Sequence, residues 1–249
     1  MWVTAPWMGV IEILGTAGAD AALIDLEHVS YDLAEVERLI VSCEASGISP
    51  LVRPPGTEVE VVSRLLDAGA HGIVFPQVEN AGQAAYGVSC LSHRPHGIRG
   101  WGGAHTRHAG WQGGYAGELM ASGGAASGVY TRDYVEKARA DAAAVILVET
   151  VAGVEQIAAI AAVPGIDAVI FGWGDYAVEV EFDGERCREA AARVYGACRR
   201  AGLGVALSPG DEPYPGCLVI AGVDTLVMSA ALTSAVTRAR GSVLPMGEA

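Results

Sequence analysis

Short apolar runs rich in β-branched residues recur along this chain, and each gives way to a longer Ala/Glu/Arg segment whose apolar positions return every three or four residues. The first pattern reads as a buried strand and the second as a helix with one face on a core. Strands are predicted over Trp2–Thr4, Ala22–Glu27, Ser49–Arg53, Gly72–Pro76, Ala144–Glu149, Ala168–Gly172, Gly204–Ser208 and Thr225–Ser229. The clearest helices are Leu33–Ser46, Val59–Ala68, Ala81–Leu91, Tyr134–Ala142, Val154–Ala161, Glu185–Ala201 and Ala230–Arg240. The stretches "DAGAHGIVFP" and "IAGVDTLVMS" share one junction, in which a helix ends at glycine and a buried parallel strand begins.

Eight strands alternating with helices in 249 residues predict an α/β fold, a single-domain (β/α)8 TIM barrel over residues 1–249. A doubly wound open sheet competes, but no Gly-x-Gly-x-x-Gly follows an early strand, which weakens a dinucleotide site. The first strand starts almost at Met1, so no earlier segment is expected to close the barrel bottom. The Gly97–Gly128 stretch, "GIRGWGGAHTRHAGWQGGYAGELMASGGAASG", is too glycine-rich for regular structure. Coming after the fourth strand, it is expected to be a lid over the barrel mouth, with disorder as the alternative.

Composition narrows the function. Half of the chain is hydrophobic and 18% is charged, which excludes extensive disorder. No apolar run is long enough to cross a bilayer, and the N-terminus lacks a secretion signal. The net charge of −13 opposes a phosphate backbone, so neither nucleic acid nor membrane is expected as a partner. Five cysteines without a CxxC pair fit reduced thiols in a cytoplasm. The single lysine, Lys137, falls in the charged helical stretch "RDYVEKARAD", not in a dry pocket suited to Schiff-base chemistry.

Barrel enzymes gather their chemistry where the strands end, and there the polar residues collect. Asp25, Glu27 and His28 close the second predicted strand, Arg53 the third, Glu149 the fifth and Asp175 the sixth; Ser208 and Ser229 close the last two. Each has a plainer reading: Asp25 satisfying loop amides, His28 as an ordinary loop histidine, Arg53 pairing with a neighbouring acid, Glu149 and Asp175 capping helices. Five at one rim favour a site. Glu149 and Asp175 are hard oxygen donors suited, with waters and a chelating substrate, to Mg²⁺, Mn²⁺ or Co²⁺. Arg53 offers a planar donor fork to a carboxylate or enolate. His28 could shuttle a proton, with Asp25 holding its tautomer. The pairs His93/His96 and His105/His108 lie in irregular sequence and are weak metal candidates, though His105 or His108 could touch substrate. Cys43, Cys90, Cys187 and Cys198 fall on helices as small hydrophobes.

In this order, "LIDLEH", "LVRP", "GIVFPQVENA", "GIRGWG", "VET" and "FGWGDYA" resemble the HpcH/HpaI aldolase family, divalent-metal-dependent enzymes acting on 2-oxo acids. The resemblance runs from about Trp2 to Arg240. It implies that Glu149 and Asp175 hold the metal, that Arg53 holds pyruvate and its enolate, and that His28 with Asp25 forms the acid/base dyad. It further implies that backbone amides of Gly172, Trp173, Gly174 and Asp175 cradle the pyruvate carboxylate. The barrel, and a homo-oligomer such as a trimer or a hexamer with an exchanged C-terminal helix, belong to the same expectation.

Some positions depart from the family pattern. Trp173-Gly174 replaces the usual Pro-x before the metal aspartate, removing rigidity and adding bulk near the carboxylate site. Leu147 stands where the family commonly has glutamine, the N-terminal helix before strand one is not seen, and the Gly97–Gly128 loop is longer than in the simple pyruvate aldolases. The expected reaction is cleavage of a 4-hydroxy-2-oxo acid into pyruvate and an aldehyde. Oxaloacetate decarboxylation, a citrate-synthase-like condensation and non-catalytic binding of a 2-oxo acid are the alternatives.

Overall fold

The computed structural model describes residues 1–103, 106–107, 128–207 and 216–241. Among the described residues eight strands lie parallel in one sheet and in chain order: β1 (Trp2–Val3), β2 (Ala21–Asp25), β3 (Ser49–Arg53), β4 (Gly72–Phe75), β5 (Ala143–Val148), β6 (Ala168–Phe171), β7 (Gly204–Leu207) and β8 (Leu218–Val219). The helices are α1 (Met8–Thr16), α2 (Leu33–Ala45), α3 (Val59–Ala68), α4 (Ala81–Leu91), α5 (Gly128–Asp141), α6 (Val151–Glu155), α7 (Ile157–Ala161), α8 (Trp173–Glu179), α9 (Gly184–Ala201) and α10 (Asp224–Gly241). The order is TIM-barrel-like, but the sheet is curled and open. Among the described residues an isolated bridge between Trp2 and Val223, with the Trp2 amide donating to the Gly222 carbonyl at 2.9 Å, is the one backbone pairing between its two ends.

Local chemistry sets the element boundaries. The Asp32 side chain accepts the Glu35 amide, and Glu35 returns a bond to the Asp32 amide, so a reciprocal cap starts α2. Gly69 takes φ +110° at the end of α3, a conformation an L side chain rarely adopts, and β4 follows three residues later. That is the helix–glycine–strand junction predicted for "DAGAHGIVFP".

The same expectation fails at "IAGVDTLVMS". The predicted strand Thr225–Ser229 lies inside α10, and the eighth strand is instead the two-residue β8. Asp224 decides this: its buried carboxylate accepts the amides of Thr4, Ala5 and Thr225 and the Thr4 hydroxyl. A helix starts from that anchor, and Ser229 therefore sits within it and not at a strand end. The apolar run misleads because a short run bounded by glycine fits either state. Two helices, α1 and α8, are absent from the expected set, and the helix expected over Val154–Ala161 is divided at Gln156 into α6 and α7.

Alternation along the strands separates two apolar layers. Leu23, Val74, Val145, Leu147, Ala168, Ile170 and Ala206 form one cluster, with Trp2 and Leu51 packed against it. Ile24, Val52, Ile73, Ile146 and Val169 belong to the larger cluster shared with the helices. The first set faces the inside of the curl. Asp25, Arg53 and Glu149 continue those inward rows by two residues, so the parity that buries leucine and valine aims the polar strand ends at one another.

Of the glycine-rich stretch, residues 104–105 and 108–127, with His105 and His108, lie outside the described residues, as does Ser208. The described start of the stretch is anchored at the opposite end of the sheet from the polar rim. Arg99 pairs with Asp67 at 2.6 Å, and Arg107 pairs with Glu44 and donates to the Ala68 carbonyl at 2.9 Å. Asp67, Ala68 and Glu44 all stand where α2 and α3 end and the next strands begin.

Candidate active site

In the parallel register of β2 and β3, Asp25 lies directly beside Arg53. Both are buried, at 2% and 5% exposure. Arg53 donates from Nε to Asp25 Oδ1 at 2.9 Å and from Nη2 to Oδ2 at 2.8 Å, a two-pronged pair. Its third nitrogen, Nη1, is 2.7 Å from Glu27 Oε2, but outside hydrogen-bond geometry, so that buried oxygen has no hydrogen-bond partner. The guanidinium also lies over the Trp2 ring, 4.6 Å from its centroid, a favourable cation–π arrangement. Burial alone would raise the Asp25 pKa; the hydrogen bond and charge of Arg53, helped by the Glu27 amide and Trp2, hold it below the ordinary carboxylate value.

The plainer reading of Arg53 is thus correct in part, since it does pair with neighbouring acids. The expected Asp25–His28 dyad is not brought together. Asp25 accepts from Arg53 and the Glu27 amide, whereas His28 stands largely exposed with Nε2 3.8 Å from Glu27 Oε2.

Across the curl, Glu149 follows β5 and is buried. It is not a helix cap: Thr150 caps α6, its hydroxyl accepting the Gly153 amide at 3.1 Å. Glu149 Oε1 instead accepts the Gln77 amide at 2.9 Å. Asp175, in the first turn of α8, faces Glu149 closely enough for the two carboxyls to interact. Burial, offset by the Gln77 bond and reinforced by the charges of Asp175 and Glu27, pushes Glu149 up to about 7. The carboxylates of Glu27, Glu149 and Asp175 therefore crowd together, and their donors are the hard oxygens that Mg²⁺, Mn²⁺ or Co²⁺ prefer. Among the described residues no group of three or more His, Cys, Asp and Glu side chains forms a metal cage; the pair Glu149/Asp175 would leave remaining positions to water and substrate.

Gly172 is part of this geometry. A Cβ there would stand 2.4 Å from Glu149 Cβ and 2.8 Å from its Oε2, so only glycine lets β6 pass so close to the carboxylate. Trp173 is exposed at the rim, edge-on to Phe171 with ring centroids 5.0 Å apart, and Gly174 has open space around its Cα.

The family model for HpcH/HpaI aldolase/citrate lyase matches residues 1–211. The chain belongs to that family. It is 31% identical over 209 residues to a hydroxypyruvate/pyruvate aldolase of Paraburkholderia phytofirmans, covering 82% of this chain and 75% of the relative. It is 30% identical over 176 residues to a 2-dehydro-3,6-dideoxy-6-sulfogluconate aldolase of Pseudomonas putida, covering 70% of this chain and 61% of the relative. The fold matches a solved family protein of Burkholderia cenocepacia with a TM-score of 0.81 and 29% identity, over 96% of this chain and 93% of that one. These relatives support an aldolase of the family.

The residues in contact with the candidate site that the sequence reading does not single out are Gln77 and Trp2, and it notes Glu27 only for its position. The one available signal was polar or aromatic chemistry at inward-facing strand ends, in "PQVEN" and in "MWV". His93 and four of the cysteines lie in the core, whereas His96 is exposed. His93 is buried against Trp101 and Tyr134, and burial lowers its pKa. Cys43, Cys90, Cys187 and Cys198 are buried free thiols, with Cys43 pushed up to about 12 by burial. No described helix is long and apolar enough to cross a membrane.

Proposed function

We propose that this protein is a divalent-metal-dependent aldolase that reversibly cleaves a 4-hydroxy-2-oxo acid into pyruvate and an aldehyde. The observation that carries the reading is a buried arginine, held in a fork by Asp25 and Glu27, at the same rim as the facing carboxylates Glu149 and Asp175.

Glu149 and Asp175 would hold Mg²⁺, Mn²⁺ or Co²⁺, which supplies Lewis-acid polarisation of the 2-oxo group and offsets negative charge. His28, exposed and free to exchange with solvent, takes the proton from the substrate's 4-hydroxyl. As the C4–O bond becomes a carbonyl, the C3–C4 bond breaks and its electrons pass into an enolate across C2 and C3. Arg53 stands ready for the enolate oxygen, with its orientation fixed before charge develops. A proton then returns to C3, and pyruvate forms. The Gly172–Asp175 segment supports the carboxylate end, as the family resemblance implies, with Trp173 adding bulk there. The closed (β/α)8 barrel of the family completes the reading, as do a cytoplasmic setting for the free thiols and a homo-oligomer, trimer or hexamer. Exposed Leu226, Val227, Leu232 and Val236 on α10 support that assembly.

The test is pyruvate release from a panel of 4-hydroxy-2-oxo acids and oxaloacetate, with chelator and with each metal restored. Chelator-sensitive cleavage of a hydroxy-oxo acid, lost in Glu149→Ala, is the expected result. Turnover of oxaloacetate alone would redirect the reading to a decarboxylating enolate enzyme. Silence from folded, metal-loaded protein would refute the aldolase.

A further inference from the structure

Gln77, the second residue after β4, is one of three non-glycine residues with positive φ among the described residues, at +53°. Backbone held in this left-handed region is a strained choice for glutamine and persists only when its surroundings impose it. Here both of its amide groups reach the site. Its backbone N–H donates to Glu149 Oε1 at 2.9 Å, and its side-chain Nε2 donates to Glu27 Oε1 at 3.2 Å. Glu27 in turn places its other oxygen 2.7 Å from Arg53 Nη1. One residue thus joins the candidate metal carboxylate that follows β5 to the clamp that orients the arginine on β3.

We propose that Gln77 is a positioning residue that fixes Glu149 through its backbone and Arg53 through Glu27, so that metal and enolate contacts are set together. The proposal rests on the aldolase reading and adds a determinant that neither the fold nor the charges require. An ordinary turn residue at φ +53° would be replaced by glycine without loss, since glycine adopts that conformation freely. A positioning residue would not, because glycine discards the amide that holds Glu27 and loosens the peptide that meets Glu149.

Wild type, Gln77→Gly and Gln77→Met are compared by thermal melting, by Mn²⁺ titration followed by electron paramagnetic resonance, and by deuterium incorporation into the pyruvate methyl group. Methionine keeps length and bulk but carries no amide. The expected result is a Gln77→Gly protein that melts at or above wild type while its Mn²⁺ Kd rises about 10-fold and its exchange kcat falls about 10- to 100-fold, the usual effect of losing a partner of a metal ligand. Gln77→Met, which keeps the backbone donor to Glu149 and loses only the bond to Glu27, should show the same fall in exchange with an Mn²⁺ Kd closer to that of wild type. Unchanged Kd and exchange in both variants would overturn the role of Gln77 and leave the aldolase reading standing. Exchange lost in only one variant would assign the effect to bulk or to backbone strain and overturn it equally. A wild type that binds no Mn²⁺ would overturn the metal reading, and this proposal with it.

Discussion

The Asp25–Arg53 pair makes a quantitative claim about stability. Asp25→Ala deletes both charge-assisted bonds to a guanidinium that stays buried, together with the acceptor for the Glu27 amide. Removing one partner of a buried ion pair costs about 3–5 kcal/mol. Arg53 keeps Glu27 and the Trp2 face, which places the expected loss near the lower end, about 3 kcal/mol. For a chain of this size that is a fall in Tm of about 6–12 °C, read by calorimetry at neutral pH. The effect also has a pH signature. The folded-state pKa of Asp25 is depressed, so its contribution is complete above the unfolded value of about 4 and disappears as pH falls through the folded value. The gap between wild type and Asp25→Ala should therefore be constant from pH 5 to 8 and shrink in acid. A Tm shift under about 2 °C at pH 7, or a gap that persists unchanged into acid, would refute the buried fork as a structural element.

Two further outcomes follow from the same geometry. His28→Ala should leave Tm unchanged, because the ring is largely exposed, while slowing cleavage of a hydroxy-oxo acid by about 10²- to 10⁴-fold; equal turnover would remove His28 from the reaction. Gly172→Ala forces a methyl group against Glu149, so a loss of about 1–3 kcal/mol and weaker Mn²⁺ binding are expected in urea denaturation and metal titration. Wild-type values for both would show that β6 can move aside.

Much of the scaffold is readable from local patterns. Ser49–Arg53, Val59–Ala68 and Ala81–Leu91 occupy the predicted spans residue for residue, because a buried strand and a one-sided helix each impose a period on the chain that bears it. That same period carries Asp25, Arg53 and Glu149 inward at the strand ends, so their meeting at one rim was legible as soon as the strand order was. Where the period was short or ambiguous the reading failed. β8 has two residues, and the apolar run after Asp224 fits a strand as well as the helix it forms.

What the tertiary structure alone decided is who pairs with whom. Sequence proximity suggested that Asp25 serves His28, three residues away; register instead sets Asp25 beside Arg53, twenty-eight residues on, where burial makes a two-pronged charged bond worth more than a contact to an exposed ring. The Gln77 links to Glu149 and Glu27, the Trp2 face beneath the guanidinium and the need for glycine at 172 are of the same kind. Each arises between segments distant in the chain, where the outcome depends on interatomic spacing that residue order does not encode.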